Sequence, residues 1–479
     1  MELHDQPTIA GPGRRRTPRP AALALLTLAV APTCGPPDPP PHVVLLLVDT
    51  LRADYLGYHG FAGEISPGLD RLAGESVVYE RCFAQSPWTK PSMATLFTSL
   101  YPQVHRLTNH EGRYWGSGTP ALETGVLAAQ AETLAERLRA AGYATGGFIA
   151  NPWMRSDYGF AQGFDHYDES GSVRWDRADS LIERARSWID GLPPRRPFFL
   201  YLHFMDVHAP YQAPREDFDR LVDSPSLGRA RTLEASELPD EGWHNLELRP
   251  PWATDELRRE LRYWRARYAS GVRALDRRLE RLIRDLRDRG LLDRSIVVLT
   301  SDHGEELFEH GDWSHGRTLF DHQLHVPLSI RLPGARGAGT RVGSIVELID
   351  LMPTLLALTG AEPAPGQQGR NVSPGAEPDE QRASFATATQ WSPGLHSIRT
   401  IRHKLLWDSE SRELQLFDLE SDPGERHDAS SANRALAAEL QTRLGLHLAE
   451  SIAGGTLDPG RAAIPPAVRE RLEALGYVD

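Results

Sequence analysis

The chain has 479 residues, of which 40% are hydrophobic and 25% charged, a composition typical of a globular protein too long for one small core. Its net charge of −12 argues against a protein that binds nucleic acid, because such proteins displace phosphate counterions with a basic surface. We therefore expect a large domain with a smaller companion and no nucleic-acid partner. An anionic substrate would have to be attracted by local positive charge.

The N-terminus has the pattern of an export signal. The apolar run Ala21–Ala31 is too short to span a bilayer and is followed by Cys34. Residues 1–34 are therefore predicted to be an export segment, and the proline-rich residues 35–41 a tether. We expect an exported protein, periplasmic or at the cell surface. Lipid anchoring at Cys34 is an open alternative to plain secretion. The basic residues before the apolar run are Arg14, Arg15, Arg16 and Arg19.

A continuous apolar run, 43–48, precedes Asp49. Such a run is typical of a parallel strand covered on both faces. Asp49 would then lie at the carboxyl end of the strand, where open α/β sheets bind ligands.

The stretch 86–96 begins a helix whose apolar side chains share one face. This pattern puts Thr89 at the helix start, where unpaired N–H groups favour an anion. Thr89 is either a simple N-cap or a functional hydroxyl. The apolar residues of this face are Met93, Leu96, Phe97 and Leu100.

A second buried strand, 295–300, precedes Asp302 and His303. Either strand-end aspartate alone is explained equally well as a capping residue. Together with Thr89, however, Asp49, Asp302 and His303 make a four-ligand set for one divalent metal ion. Oxygen and nitrogen ligands of this kind suit Ca²⁺, Mn²⁺ or Zn²⁺.

The remaining elements alternate helices with strands, which favours an α/β fold. The proline- and glycine-rich stretch 360–378 is the predicted boundary before short strands and one helix. We therefore predict a main domain at 42–365 and a C-terminal subdomain at 379–479. The predicted helices are 131–141, 180–192, 263–290, 345–358 and 435–444; the predicted strands are 143–150, 197–204, 326–332, 342–346, 397–401, 404–407 and 414–418.

Taken in order, these motifs resemble the sulfatase family of the alkaline phosphatase superfamily. The resemblance extends from about His42 to the C-terminus, and the combination is far more specific than any one motif. It implies a three-layer α/β/α sandwich around a mostly parallel sheet, with a small C-terminal α+β subdomain. The motifs are the strand ending in Asp49, T-x-P-S at Thr89, Y-P-x-x-H at Tyr101, H-x-P-Y at His208 and S-D-H-G-E at Ser301.

The chain departs from this family at the nucleophile. Sulfatases that use formylglycine carry C-x-P-x-R, but here the cysteine is Thr89 and the arginine is Met93. Cys82 cannot replace the missing cysteine, because Ala84 and Ser86 stand where proline and arginine are needed; we expect it to be a buried apolar residue. The resemblance to superfamily members with a threonine nucleophile implies that Thr89 attacks the substrate and also binds the metal.

Further site residues follow from the resemblance. His208 matches the family histidine that lies over the scissile ester, with a neutral loop histidine as the alternative. His315 is predicted to replace a family lysine, with Arg317 as a second candidate. Asn151 stands where sulfatases carry K-x-H, and Lys90 follows the nucleophile. We therefore predict Thr89, His208 and His315 as catalytic residues and Lys90, Asn151 and Arg317 as substrate-binding residues.

Three functions remain open. The first is a hydrolase of sulfate or phosphate esters acting on an anionic small molecule, glycan or lipid. The second is a phosphoryl-alcohol transferase, and the third a catalytically silent binding protein. Because threonine lacks the hemiacetal route by which formylglycine releases sulfate, we expect phosphate diesters or phosphonate monoesters to react faster than sulfate esters.

Overall fold

The fold was determined as a computed structural model, which describes residues 39–107, 123–173, 177–211, 214–228, 231–233, 254–377, 379–389 and 392–475. The predicted export segment, Cys34 and most of the tether lie outside these residues. No helix in the described ranges is long and apolar enough to cross a membrane.

Strands and helices alternate through most of the described chain. The strands are β1 (His42–Val48), β2 (Val77–Phe83), β3 (Glu123–Val126), β4 (Ala144–Ile149), β5 (His166–Asp168), β6 (Phe198–Phe204), β7 (Ser295–Thr300), β8 (Glu306–Leu307), β9 (Trp313–Ser314), β10 (His325–Arg331), β11 (Arg341–Glu347), β12 (Ser384–Thr387), β13 (Leu395–Arg399), β14 (His403–Asp408), β15 (Leu414–Asp418) and β16 (Gly460–Ala463). The helices are α1 (Pro67–Gly74), α2 (Thr89–Thr98), α3 (Pro102–His105), α4 (Leu134–Ala140), α5 (Ala178–Asp190), α6 (Arg215–Leu221), α7 (Asp255–Arg258), α8 (Leu261–Asp288), α9 (Asp321–Leu324), α10 (Leu351–Thr359), α11 (Arg434–Ser451) and α12 (Pro466–Ala474).

The main sheet has eight strands in the order β11-β2-β10-β7-β1-β6-β4-β5. Strand β1 runs parallel to both of its neighbours, so that Leu45 lies opposite Tyr201 of β6 and Val298 of β7. Strand β10 runs antiparallel to β7 and β2. The sheet is thus mostly parallel, and the apolar side chains of β1 are buried as expected for a central strand.

Helices cover the main sheet in two groups. Helices α1, α5 and α6 pack against the long helix α8, whereas α2, α4 and α10 pack against one another. This arrangement confirms the predicted α/β fold of the alkaline phosphatase type. It also leaves the carboxyl ends of β1, β4, β6 and β7 at one edge of the sheet, since these strands are mutually parallel.

The C-terminal part contains a four-stranded antiparallel sheet, β12-β13-β14-β15, against which α11 packs. Ile398, Leu405 and Leu416 of this sheet form a small core of their own with Leu440 of α11. Strand β16 then returns to pair with β3. The predicted boundary at 365–379 falls between the two sheets, although the chain from Pro40 onward forms one compact unit.

Helix α2 begins at Thr89, as predicted, and Trp88 is its N-cap. Two other local predictions were wrong in detail. Helix α4 begins only at Leu134, because Thr133 and Glu136 form a capping box there. The predicted helix 345–358 begins at Leu351, because β11 continues pairing with β2 as far as Glu347.

Candidate active site

Polar side chains gather at the carboxyl edge of the main sheet. Asp49 follows β1, Asn151 follows β4, and Asp302 and His303 follow β7, while His203 lies one residue before the end of β6. All five side chains are fully buried. They meet because β1 lies between β7 and β6, with β4 on the far side of β6.

Helix α2 brings Thr89 to the same edge. The Thr89 hydroxyl oxygen lies 3.4 Å from Asp49 Oδ2 and 3.4 Å from His303 Nε2. Ser92 ties the helix to the end of β7, because its hydroxyl donates to the Asp302 carbonyl at 2.6 Å. The first turn of α2 therefore presents a hydroxyl and the positive end of a helix to the buried carboxylates.

The orientation of Asp49 is set by neighbouring donors. Asn151 Nδ2 donates to Asp49 Oδ2 at 2.5 Å, and His203 Nε2 lies 3.1 Å from the same oxygen. The Tyr201 hydroxyl lies 2.6 Å from His203 Nδ1, so a chain in which Tyr201 donates to His203 and His203 to Asp49 satisfies all three groups. Burial raises the pKa of Asp49, but the hydrogen bond from His203 and the nearby histidines outweigh burial and lower that pKa.

The site has the donors that a cation requires. Asp49 Oδ1 and Asp302 Oδ2 are buried without a hydrogen-bond partner among the described residues. His303 Nδ1 donates to the Gly304 carbonyl at 2.9 Å, which leaves the Nε2 lone pair 3.3 Å from Asp302 Oδ2 and 3.7 Å from Asp49 Oδ1. Two carboxylate oxygens and a lone pair repel one another unless a cation lies between them, so the residues fit a divalent metal.

Burial and the nearby Asp49 raise the pKa of Asp302 well above its usual value. This shift and the two unpartnered oxygens have the same cause, which is that two carboxylates lie close together in a dry site. Neither a lysine nor an arginine is among the groups that most affect the pKa values of these two carboxylates.

Two further histidines line the site. The His315 ring lies 4.4 Å from the His303 ring and 5.1 Å from the His208 ring. His208 Nδ1 donates to the Ala209 carbonyl at 2.7 Å, so the Nε2 carries the lone pair of the neutral ring. Burial lowers the pKa of His208, which favours that neutral form.

His315 is paired with a buried acid. Its Nδ1 lies 2.9 Å from Glu305 Oε1. Burial lowers the pKa of His315 to about 4 and raises the pKa of Glu305 to about 8. Both shifts favour the uncharged forms, in which a protonated Glu305 carboxyl can donate to the Nδ1 of His315.

Lys90 and Arg317 lie in different surroundings. The Lys90 amino group is buried over the rings of Trp153 and Tyr158 and donates to the Thr124 hydroxyl. These contacts satisfy Lys90 within the protein, so its substrate-binding role stays a prediction without a contact to support it. Arg317 is partly exposed and pairs with Asp312 at 3.2 Å, and its charge contributes to the lowered pKa of His315.

Sequence analysis missed His203, Tyr201 and Glu305. His203 is the one histidine in strand β6, which is otherwise apolar and aromatic. A histidine in such a strand could have indicated a functional residue from the sequence alone. Its role depends on β6 lying beside β1, which the sequence did not reveal. Glu305 was read only as part of the S-D-H-G-E motif.

Comparison with known families gives two matches. The sulfatase family model matches residues 41–361, and the model of the N-sulphoglucosamine sulphohydrolase C-terminal region matches residues 308–452. The first match covers more than half of the chain.

Curated relatives carry sulfatase names. The chain is 27% identical to an ulvan-active sulfatase of Formosa agariphila over 76% of its own length and 59% of that protein. It is 26% identical to an arylsulfatase of Clostridium perfringens over 80% and 89% of the two chains. It is 23% identical to an N-acetylglucosamine-6-O-sulfatase of Bacteroides thetaiotaomicron over 84% and 85%.

Solved structures share the fold. The phosphonate monoester hydrolase of Agrobacterium radiobacter superposes with a TM-score of 0.68 at 24% identity, covering 86% of this chain and 96% of that one. The phosphonate monoester hydrolase of Silicibacter pomeroyi gives a TM-score of 0.67 at 22% identity, covering 86% and 97%.

Proposed function

The chain belongs to the sulfatase family of ester hydrolases, and from this premise we propose that it is a metal-dependent hydrolase of phosphate and sulfate esters with Thr89 as its nucleophile. The environment of the Thr89 hydroxyl carries the proposal. Its oxygen lies 3.4 Å from both Asp49 Oδ2 and His303 Nε2, beside two carboxylate oxygens without partners. Buried carboxylate oxygens without partners cost free energy, and such groups are typical of functional sites, which favours a chemical role for the neighbouring hydroxyl.

The cation would be held by Asp49, Thr89, Asp302 and His303. The ligand set is three oxygens and one nitrogen, which suits Mn²⁺ or Zn²⁺ and also Ca²⁺. When bound, a divalent cation lowers the pKa of the nucleophilic hydroxyl and offsets the negative charge of the ester. Sulfatase family members use a divalent metal ion, which supports this assignment.

In the proposed first step, the Thr89 oxygen attacks phosphorus or sulfur. Its proton passes to a neutral histidine, for which the lone pair of His208 Nε2 is the first candidate. The bond between phosphorus or sulfur and the leaving oxygen breaks, and that oxygen takes a proton from the imidazolium or from the Glu305–His315 pair. The product of this step is an ester on Thr89.

In the second step, water attacks the Thr89 ester and gives its proton to a histidine. The Thr89 oxygen leaves and regains a proton, which restores the starting state. Asn151 Nδ2, 3.3 Å from the Thr89 oxygen, is placed to hold that oxygen or the departing anion in both steps. The N-terminus of α2, where Trp88 makes no side-chain capping bond, favours the same anion.

Thr89 also bears on which ester is preferred. An ester on formylglycine is released by collapse of a hemiacetal, whereas an ester on threonine must be attacked directly. We therefore expect phosphate diesters or phosphonate monoesters to react faster than sulfate esters. The names of the curated relatives extend the proposed substrates to anionic glycan esters.

Water is the proposed acceptor. The matched family and the curated relatives quoted above are hydrolases by name, which favours hydrolysis over the alternative of phosphoryl-alcohol transfer. The binding-protein alternative is disfavoured by the same relatives and by the assembled Thr89 site.

The test combines metal analysis with a substrate panel. Protein loaded in turn with Mn²⁺, Zn²⁺ or Ca²⁺ is assayed with aryl phosphate monoesters, phosphate diesters, phosphonate monoesters and sulfate esters, with Asp302→Asn as the control. We expect cation-dependent turnover that is fastest for the diesters or phosphonates and lost in the control. Faster turnover of sulfate esters would overturn the substrate preference, and no turnover with any loaded cation would overturn the hydrolase proposal.

A further inference from the structure

A second group of metal-binding side chains lies outside the Thr89 site. Glu306, His310 and His322 each offer one ligand atom, and these atoms lie within 4.8 Å of one another. We propose that this second cluster binds a structural divalent cation of the Zn²⁺ type. It shares no residue with the Thr89 site, so the proposal does not depend on the proposed function.

Two side chains of the second cluster carry buried atoms without a hydrogen-bond partner among the described residues. Glu306 is almost completely buried, and its Oε2 has no hydrogen-bond partner among the described residues. His322 Nδ1 is buried without a partner as well. A carboxylate oxygen and an imidazole nitrogen left this way each cost free energy unless a ligand joins them.

His310 is oriented as a metal ligand. Its Nε2 donates to the Gly424 carbonyl at 3.0 Å, and its ring stacks on Phe320 at 3.6 Å between centroids. When the ring is neutral, this bond leaves the lone pair of Nδ1 facing Glu306 Oε1, 3.1 Å away. Histidines that bind metals commonly donate their other N–H to a carbonyl in this way.

An ion pair without metal explains only part of this geometry. A doubly protonated His310 would satisfy Glu306 Oε1 and the Gly424 carbonyl. It would still leave Glu306 Oε2 and His322 Nδ1 without partners. One cation shared by all three side chains satisfies the whole cluster.

The surrounding charge also leaves room for a cation. Arg52, whose charge acts on His322, is already paired with Asp54 at 2.7 Å and with Glu309 at 2.9 Å. Glu309 lies 3.4 Å from Arg265 as well, so these two acids and two bases balance. The charge of Glu306 remains for His310 and a bound ion to offset.

The donor set selects the metal. Two imidazoles and one carboxylate suit Zn²⁺ and its borderline relatives, whereas Ca²⁺ and Mg²⁺ prefer oxygen ligands. His310 is held by Gly424, which follows β15 of the C-terminal sheet, while Glu306 follows the Asp302–His303 turn. A cation here would therefore join β8 to α9 beside the Gly424 segment.

The test uses full-length protein in which Asp49→Asn and Asp302→Asn remove ligands of the Thr89 site. After chelation and dialysis, this background variant is titrated with Zn²⁺ against a competing chelator and with Co²⁺ while the visible d–d absorption is recorded. We expect about one equivalent of tightly bound cation and a Co²⁺ spectrum of low coordination number. Adding His322→Gln or Glu306→Gln should weaken binding by more than about 10-fold.

His396→Gln is the matched control, because His396 is a hydrogen-bonded histidine of β13 outside both clusters. It should bind the cation as the background does. Binding that is absent from the background, or unchanged in both His322→Gln and Glu306→Gln, would overturn the proposal.

Wild-type stoichiometry provides an independent measurement if the background variant fails to fold. His322→Gln should lower the bound Zn²⁺ by about one equivalent and leave ester turnover in place, whereas Asp302→Asn should abolish turnover and keep the second equivalent. An unchanged stoichiometry in His322→Gln would contradict the second site. Loss of turnover in Asp302→Asn with no loss of cation would instead contradict the proposed function.

Discussion

Two buried groups of ionisable residues differ in how their charges are matched. At the Thr89 site, Asp49 and Asp302 face each other and His303, and each aspartate has one oxygen without a partner. A C-terminal charge cluster, beside the antiparallel sheet, also contains two carboxylates, the buried Glu425 and the partly buried Asp321, but supplies two cations to them. Lys404 Nζ lies 2.7 Å from Asp321 Oδ1 and 2.6 Å from Glu425 Oε1, and Arg399 Nε lies 3.1 Å from Asp321 Oδ2.

The difference separates a structural role from a functional one. Charges that the protein neutralises itself, as in the C-terminal charge cluster, hold two segments together and leave nothing for a ligand. Charges left unmatched in a dry site cost stability, and the protein keeps them only if something binds there. Each prediction below tests one side of this contrast.

The largest expected effect is on catalysis at the Thr89 site. Thr89→Ala should lower kcat/KM for phosphate diesters by at least about 10⁴-fold, because alanine lacks the oxygen that attacks the ester. Thr89→Ser, which keeps the hydroxyl, should retain measurable turnover. Steady-state kinetics on the cation-loaded proteins decide the matter, and full activity in Thr89→Ala would rule Thr89 out as the nucleophile.

The next largest effect is expected on the free energy of unfolding, from a change in the C-terminal charge cluster. Lys404→Met should lower the free energy of unfolding by about 3–5 kcal/mol, because it leaves the buried Glu425 and the partly buried Asp321 without their shared cation. Urea unfolding measures this loss. The triple variant Asp321→Asn/Lys404→Met/Glu425→Gln should regain much of it.

The same experiment on Asp302→Asn sharpens the contrast. In cation-free protein this change should not lower the free energy of unfolding, since it removes one of two facing carboxylates. A loss as large as that of Lys404→Met would mean that the protein itself stabilises the charge of Asp302.

A smaller effect is expected from the residue that orients Asp49. His203→Phe keeps a ring but removes the nitrogen 3.1 Å from Asp49 Oδ2, so the cation concentration for half-maximal activity should rise by about 10- to 100-fold. His203→Gln retains a donor and should recover part of the loss. If both variants need the same cation concentration as the wild type, His203 fills space and does not position the ligand.

The C-terminal charge cluster should also affect how the free energy of unfolding depends on pH in the acid range. Burial raises the pKa of Asp321, but Arg399 and Lys404 outweigh burial and hold that pKa well below its usual range. A carboxyl group whose pKa is lower in the folded state adds stability above its unfolded pKa of about 3.9, and this stability is lost as the pH falls through the folded value.

Asp321→Asn lacks this titration. The informative range is from about pH 5 to about pH 3, roughly one unit on either side of the unfolded pKa. As the pH falls through this range, the free energy of unfolding of Asp321→Asn should fall less steeply than that of the wild type. Urea unfolding at several pH values measures the two slopes. Equal slopes would show that Asp321 does not titrate abnormally.

The sequence allowed us to predict the central strands of the main sheet and the residues at their carboxyl ends. Continuous apolar runs ending in acid identified β1 and β7, because a buried parallel strand needs apolar residues on both faces. The fold class followed, and so did the proposal that Asp49, Thr89, Asp302 and His303 share a site.

Features that depend on which strands and loops become neighbours were not predicted. His203 reaches Asp49 only because β6 pairs with β1, and Glu306 meets His322 only after the loops beyond β7 fold together. The N-cap alternative for Thr89 was wrong, because Trp88, which has no polar side-chain oxygen for capping, is the N-cap of α2.

The smallest effect is expected at Met93, which occupies the position of the arginine in C-x-P-x-R. Its side chain is fully buried in the apolar core, so it supplies no charge to Thr89 or to the substrate. Met93→Leu preserves the apolar volume and should cost less than about 1.5 kcal/mol of stability. Since a tenfold change in rate needs about 1.4 kcal/mol at the transition state, kcat/KM should remain within a few-fold of the wild type. A loss of about 100-fold in Met93→Leu, measured in the same diester assay as Thr89→Ala, would show that the thioether contacts the reacting groups and that the unmatched site extends to this position.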